Sequence, residues 1–381
     1  MQALAFLKRV IPRVLQQRIG RLVRPLWAFV RAVAMARAEV PKDGTISVYY
    51  GFRRVPGLED QAHGGIVKFQ RMQDVFPNSP NRFNILYMVS SRMPLDAVEV
   101  AWLARKKGAR VVWNQNGVAY PAWHGPGWEH TNAPMARLCR EADYVFFQSR
   151  FCKLSAERFL GDRQGPWEIL HNSVDTTVFT PAGTDPAPGR LVLLLGGTQY
   201  QYYRLEVGLQ VLSEIAKRGV DARMLVMGRL CWIPDEAGAA RLARQLAADL
   251  GLTQRVTFTG PYTQAEAPSI FRHAHLLLHT KYNDPCPGLV VEAMACGLPV
   301  VYSKSGGVPE LVGEEAGIGV PAEMSWERDI PPDPKAMADA VLQVAARRAQ
   351  FADAARTRAV EKFDLQPWIA RHVEVFGQLV K

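Results

Sequence analysis

From Thr45 onward the chain repeats one pattern, a short apolar run followed by an amphipathic stretch at helical spacing. "TISVYYG" (45–51), "FNILYMV" (83–89), "ARVVWNQ" (109–115), "DYVFFQS" (143–149) and "WEILHNS" (167–173) read as strands. The segments between them read as helices; "DAVEVAWLARKKG" (96–108), for example, ends on a Lys-Lys-Gly stop. The pattern breaks at "PAGTDPAPG" (181–189), a Pro/Gly-rich linker, and then restarts. "RLVLLLGG" (190–197), "ARMLVMG" (222–228), "RVTFTG" (255–260), "AHLLLHT" (274–280) and "PVVYS" (299–303) form the second set. Apolar runs this short, alternating with helices, predict parallel sheets covered on both faces. Two sets joined by a linker predict two doubly wound α/β domains. Ligands then bind at the carboxyl ends of the strands and in the cleft between the domains. The expected division is 1–40, 41–185, 186–355 and a C-terminal helical segment, 356–381, packing back on the first domain.

Charge separates the first forty residues from the rest. The net charge is +10, yet residues 1–40 alone carry eight Lys or Arg against the single acid Glu39. That segment holds +7 and leaves +3 for the other 341 residues, so a nucleic-acid-binding core is not implied. Its Leu, Phe, Val, Ile and Trp alternate with Arg and Lys at roughly helical spacing, and Pro12 and Pro25 start or kink helical pieces. Such an amphipathic basic arm suits an anionic membrane surface, with Trp27 at the interface. It equally suits a helix packed on the protein body. No stretch of 18 apolar residues predicts a membrane span. Five cysteines without CxxC spacing suit reduced thiols in a cytoplasmic setting.

Within the second half, "NDPCPGLVVEAMACGLPVV" (283–301) concentrates the chemistry. "AHLLLHT" predicts a buried strand, "KYNDPCPG" the loop after it, and "LVVEAMACG" a short helix stopped by Gly297. Asp284 then sits beyond a strand's carboxyl end. Pro287 closes the turn, and Gly288, Leu289 and Val290 offer helix-start N–H groups suited to phosphate. Glu292 lies one turn further on. Two carboxylates separated by a turn suit two contacts to one polyol ligand, since each oxygen accepts from hydroxyls. In isolation the same pair reads as a turn cap and a solvated helix residue.

The block "DPCPGLVVEAMACGLPVVYSKSGGVPELV" (284–312) closely resembles the signature of retaining glycosyltransferases of the GT-B fold, family 4. "HNSVDTTVFTP" (171–181), "HGGIVKF" (63–69) and "VTFTGPYTQAEAPSIFRHAHLLLH" (256–279) extend it over most of residues 45–375. The resemblance implies two Rossmann-like domains facing a cleft, the second for a nucleotide-diphosphate sugar and the first for an acceptor hydroxyl. It gives Asp284 the place of the glutamate that holds donor-sugar hydroxyls, and Glu292 that of the ribose contact. Gly288, Leu289 and Val290 would supply amides to the sugar and diphosphate, and Gly64 and Gly65 would let the first domain close over the phosphates. The sequence departs from the pattern where an arginine often stands, at Gly197. Arg204 is then the candidate diphosphate cation, and Arg229 a second one. A histidine common near the end of the third strand is replaced by Gln115 and Asn116, with His124 farther along, so no base is assigned. Trp123 and Trp128 in the following loop suit either stacking on a ligand or a satellite core.

His273, His275 and His279 beside Asp284 raise the question of a metal. The family's site works without one, so the expectation is no metal and no cofactor beyond the donor itself. The activity expected is retaining sugar transfer to a lipid-linked or saccharide acceptor, in glycan or polysaccharide assembly on the cytoplasmic membrane face. A nucleotide-sugar epimerase or hydrolase of the same shape, and a non-catalytic carbohydrate-binding protein at a membrane surface, are the alternatives.

Overall fold

The computed structural model describes residues 31, 33–62 and 64–381, so most of the basic arm, and His63, lie outside the described residues. The chain forms two wholly parallel sheets. The first runs β1 (Val48–Tyr49), β2 (Ile85–Val89), β3 (Arg110–Gln115), β4 (Tyr144–Phe147) and β5 (Trp167–Ile169) in that order. A parallel bridge between Val48 and Asn78 adds an outer edge, so the winding reverses between β1 and β2. The second sheet contains β6 (Leu191–Leu195), β7 (Ala222–Met227), β8 (Val256–Gly260), β9 (Leu276–His279), β10 (Val300–Lys304) and β11 (Gly317–Pro321). Their spatial order is β11-β10-β9-β6-β7-β8, the dinucleotide-fold order, with its switch point between β6 and β9.

All ten apolar runs became strands, nine of them shorter than the run and β10 shifted one residue on, to Val300–Lys304. The eleventh, β11, is "GIGVP", whose two glycines and proline carry no strand signal. Tertiary space explains it: a Cβ on Gly317 would lie 1.9 Å from the Val300 carbonyl oxygen, so only glycine lets this edge approach β10.

The two domains are stitched together twice. The chain leaves the first domain through 170–190 and returns at Phe363–Leu365, where Val174 pairs with Asp364. The helix Arg348–Phe363 lies on the helix Gly288–Ala295. The last helix, Leu365–Val380, buries Trp368, Ile369, Val375 and Phe376 against Tyr50, Tyr87 and Phe146 of the first sheet. Each such side chain contributes about 1.5–3 kcal/mol of burial, so the C-terminus is structurally part of the first domain. The last turn of the arm also docks there. Met35 and Ala38 are buried, Arg31 donates to the Gly51 carbonyl at 2.8 Å, and it pairs with Asp96 at 3.1 Å. Among the described residues no helix is long and apolar enough to cross a membrane.

Candidate functional site

Both switch points face the interdomain cleft, and the residues singled out by sequence gather there. After β6 the chain makes a glycine turn, Gly196-Gly197, before the helix Tyr202–Lys217. After β9 it makes the turn Thr280–Pro287 before the helix Gly288–Ala295. Leu289 packs over the glycine turn; a Cβ on Gly196 would meet its methyl groups at 2.9 and 3.0 Å. Arg204 is buried beneath the same turn. Its Nη1 donates to the Thr198 carbonyl at 2.6 Å and its Nη2 reaches the Gly196 carbonyl at 3.4 Å, while its Nε has no partner. Its charge is therefore held under the loop, within the field of Asp284.

Asp284 is 9% exposed and points at two basic side chains. Lys281 Nζ lies 3.2 Å from one carboxylate oxygen, and His279 Nε2 lies 3.2 Å from the other. Burial pushes the carboxyl up, but Lys281, the His279 hydrogen bond and Arg204 outweigh it and hold it well below the usual carboxylate range. Burial also lowers the His279 pKa, so the neutral ring donates from Nε2 and leaves Nδ1 without a partner. The turn itself is held by backbone. Asn283 takes a left-handed φ of 48°, its amide donating to Ser305 Oγ at 2.9 Å. Gly307 N–H donates to the Asp284 carbonyl at 2.9 Å. A Cβ on Gly306 would sit 2.5 Å from that carbonyl oxygen, and one on Gly307 2.0 Å from the Pro285 carbonyl oxygen. "SGGVPELV" thus forms the platform under Asp284.

At the start of the helix Gly288–Ala295 the geometry narrows the expectation. Val290 N–H already donates to the Pro287 carbonyl at 3.2 Å, so Gly288 and Leu289 carry the helix-start amides. Glu292, only 4% exposed, does not stand free for a ribose. Arg71 of the first domain reaches across the cleft and places Nη2 2.5 Å from Glu292 Oε1 and 3.2 Å from Gln264 Oε1. Its Nη1 donates to the Ser173 carbonyl.

Further first-domain groups close the same gap. Gly65 opens the helix Gly65–Met72 beside Ser91, where a Cβ would lie 2.9 Å from Val89, and Gly64 precedes it with a φ of 56°. Lys68 from that helix is buried and donates to Asn114 Oδ1 at 2.9 Å; burial lowers its pKa to about 7. Ser149 donates to the Pro285 carbonyl at 2.7 Å, and Asn172 to the Cys286 carbonyl at 2.6 Å. Glu310 caps a helix across the cleft, accepting from the Arg150 and Phe151 amides at 2.8 and 3.0 Å, with His171 at 3.4 Å.

The other sequence candidates take different places. Arg229 is held by Glu236 in a half-exposed ion pair, so its charge is already met. Gln115 is consumed by Trp113 Nε1 at 2.7 Å and by the Asn116 and Gly117 carbonyls. Asn116 keeps an unpartnered buried Oδ1, but an amide oxygen is no general base. His124 is exposed and bonded to Thr131 at 2.8 Å. Trp123 lies in the cleft under Lys281, 5.1 Å from its Nζ, whereas Trp128 fills a satellite core against Phe159. The histidines disperse: His273 binds the Ser269 carbonyl and His275 binds Asp185. Among the described residues no group of three or more His, Cys, Asp or Glu is arranged to hold a metal ion. Sequence reasoning missed Arg71, Lys68, Lys281 and Glu310. The available signal was Lys68 and Arg71 at i, i+3 on the helix that follows a glycine pair.

Residues 189–347 match the family described as glycosyl transferases group 1. The D-inositol 3-phosphate glycosyltransferase of Salinispora tropica is 31% identical over 232 residues, covering 56% of this chain and 46% of that protein. The enzyme of the same name from Mycolicibacterium smegmatis is 31% identical over 158 residues, covering 39% and 34%. The chain thus spans about a third to a half of the length of these curated relatives. Among solved structures, Anabaena HepE in complex with UDP-glucose superposes with a TM-score of 0.65 at 18% identity, covering 83% of this chain and 90% of that one. Sucrose-phosphate synthase from Thermosynechococcus elongatus superposes with a TM-score of 0.63 at 19% identity, covering 82% and 76%. At those identities the likeness is one of fold. Residues 189–347, most of the second domain, thus match the group 1 glycosyltransferase family model, and the two-sheet architecture is the GT-B fold of the solved structures.

Proposed function

We propose that the protein is a retaining glycosyltransferase that moves a sugar from a nucleotide-diphosphate donor to an acceptor hydroxyl. The observation that carries this reading is the placement of buried, ionised Asp284 and the start of the helix Gly288–Ala295 at one switch point, facing the first domain. Asp284 would accept from donor-sugar hydroxyls, oriented by Lys281 and His279. The Gly288 and Leu289 amides would meet the diphosphate, and Arg204 would add positive charge beneath the glycine loop. Those groups stabilise the charge that develops as the anomeric C–O bond to phosphate breaks. The resemblance of residues 284–312 to the signature of retaining glycosyltransferases supports attack from the same face, the departing phosphate oxygen taking the acceptor's proton. No step in this scheme requires a metal ion, because fixed amides and guanidinium meet the phosphate charge. Glu292 would reach the ribose once Arg71 moves aside.

The first domain would receive the acceptor. The +7 charge of residues 1–40 supports an anionic membrane surface as the place of work, and hence a lipid-linked acceptor on the cytoplasmic face. Incubation with a panel of UDP-, GDP- and ADP-sugars, following release of free nucleotide, tests the reading. Turnover of one donor, falling at least about 100-fold in Asp284→Ala, is the expected result. Equal turnover by that variant would remove Asp284 from the site, and no turnover of any donor would end the proposal.

A further inference from the structure

The segment between β11 and the helix Pro334–Ala346, residues 322–333, belongs to the second domain by sequence but is seated in the first. Trp326 enters an aromatic socket there. Its ring stacks on Phe151 with centroids 5.3 Å apart, and meets Tyr120 and Phe159 edge-on at 5.0 and 5.2 Å. Ala122 N–H donates to the Trp326 carbonyl at 2.9 Å. One residue earlier the same segment grips the turn that carries Asp284. Ser325 N–H donates to the Tyr282 hydroxyl at 2.7 Å, that hydroxyl donates to the Glu323 carbonyl at 2.6 Å, and Asn283 Nδ2 donates to the Ser325 carbonyl at 3.0 Å. Three residues later Asp329 accepts from Gln201, at the start of the helix that follows the glycine turn. The strap therefore touches three things at once: the aromatic socket, the Asp284 turn and the phosphate-side loop.

This wiring matters because the turn is a poor self-supporting structure. Asn283 holds a left-handed backbone, a conformation that asparagine tolerates better than most non-glycine residues but still at a cost, and its Oδ1 is buried without a hydrogen-bond partner. The fixing bonds come from Ser305 and from the strap. The strap's own position is set by the first domain, so domain closure and the aim of Asp284 are mechanically linked.

We propose that Trp326 is a positioning residue, which on closure of the cleft seats the 322–333 strap in the Tyr120/Phe151/Phe159 socket and thereby fixes the Tyr282-Asn283 turn that aims Asp284. The kinetic part of this inference rests on the sugar-transfer reading; the structural part does not. Replacing Trp326 by Ala empties the socket but leaves the glycine turn and the helix Gly288–Ala295 in place. Nucleotide diphosphate, bound by the second domain, then keeps its Kd within about twofold, while kcat with the donor that the wild type turns over falls about 10- to 100-fold. Trp326→Phe, which still fills the socket, restores most of kcat. Amide hydrogen exchange at Tyr282 and Asn283 accelerates in the Ala variant and not in the Phe variant. Unchanged kcat with unchanged exchange overturns the proposal. So does parallel loss of nucleotide affinity, kcat and melting temperature, which marks a residue that merely holds the fold. If the wild type turns over no donor, the transfer reading falls by itself, and exchange at Tyr282 and Asn283 still decides whether the strap fixes the turn.

Discussion

The Arg71–Glu292 pair makes a sharp prediction, because it is buried and spans two domains. An exposed ion pair is worth at most about 1 kcal/mol. Here the two side chains are 10% and 5% exposed, with nitrogen and oxygen 2.5 Å apart. Arg71→Met removes the guanidinium and also its bonds to Gln264 and Ser173, leaving a carboxylate in a closed interface with its cation gone. If the domains stayed closed, the cost would be about 3–5 kcal/mol. The protein has a cheaper response, which is to open the cleft and let water reach Glu292. The measured loss is therefore capped by the free energy of opening, and it appears as a change of shape before it appears as unfolding.

Urea denaturation combined with small-angle scattering reads both effects. The expected outcome for Arg71→Met is a larger radius of gyration at zero denaturant and a loss of stability no greater than about 3–5 kcal/mol. Glu292→Leu alone strands the guanidinium instead, and Arg71→Met with Glu292→Leu recovers much of the loss, giving a coupling energy of at least about 2 kcal/mol. Nucleotide diphosphate then binds Arg71→Met more tightly than wild type, since no guanidinium competes for Glu292. Additive single losses, an unchanged radius and weaker nucleotide binding would together refute the idea that this pair latches the cleft.

The cross-cleft cap at Glu310 responds to acid. Burial raises its carboxyl, but His171 and the Arg150 and Phe151 amides outweigh that and hold it below its usual value. A depressed carboxyl stabilises above its unfolded pKa of about 4.3 and loses that contribution as pH falls through the folded value. The stability gap between wild type and Glu310→Gln in urea should therefore shrink between pH 7 and pH 3.5. Lys68 works the other way: burial lowers it from 10.5 to about 7. The unfolded chain then binds the extra proton between those values, so stability rises with pH from about 7 to about 10. Lys68→Met should flatten that rise relative to wild type in paired denaturation curves at pH 7 and 9.5. Gly307→Ala puts a methyl group against the Pro285 carbonyl and should cost about 1–3 kcal/mol or more, read as a lower melting temperature. For the arm, sedimentation with anionic vesicles should carry down the full chain and leave a chain beginning at Pro41 in solution; equal partitioning would dismiss membrane attachment through residues 1–40.

The central strands were easy to read because they are buried on both faces and made of Val, Leu, Ile and aromatics, as in "FNILYM" and "RLVLLL", whereas the edge strands β5 and β8 are only partly covered. The place where the apolar run "AHLLLHT" stops put Asp284 and Gly288 beyond a strand's carboxyl end, and the structure places them after β9. Strand β11 was opaque because its glycines serve a neighbour's backbone, a demand visible only in three dimensions. Arg229 shows the opposite limit. A cation in "MGRL" after a strand looks available, yet Glu236, seven residues on, folds back to meet it.

Three of the residues that escaped sequence reading share one property: each acts on the other domain. Arg71 lies on a first-domain helix but satisfies a second-domain carboxylate, Glu310 lies in the second domain but caps a first-domain helix, and Trp326 leaves its own sheet to fill a foreign socket. Local propensity, hydrophobic period and turn chemistry describe a segment and its neighbours in sequence, and separations such as the 221 positions between Arg71 and Glu292 carry no such signal. The motif residues, by contrast, are placed by short-range geometry, the reach of a turn or the start of a helix, and so they were visible. The division has a physical consequence. What binds a ligand is built within one domain from contiguous chain, whereas what couples that binding to closure is built from single long side chains crossing the gap. Substitutions of the first kind should therefore weaken affinity, and those of the second kind should slow the step that brings a bound ligand to reaction while nucleotide affinity is kept, as at Trp326, or raised, as at Arg71.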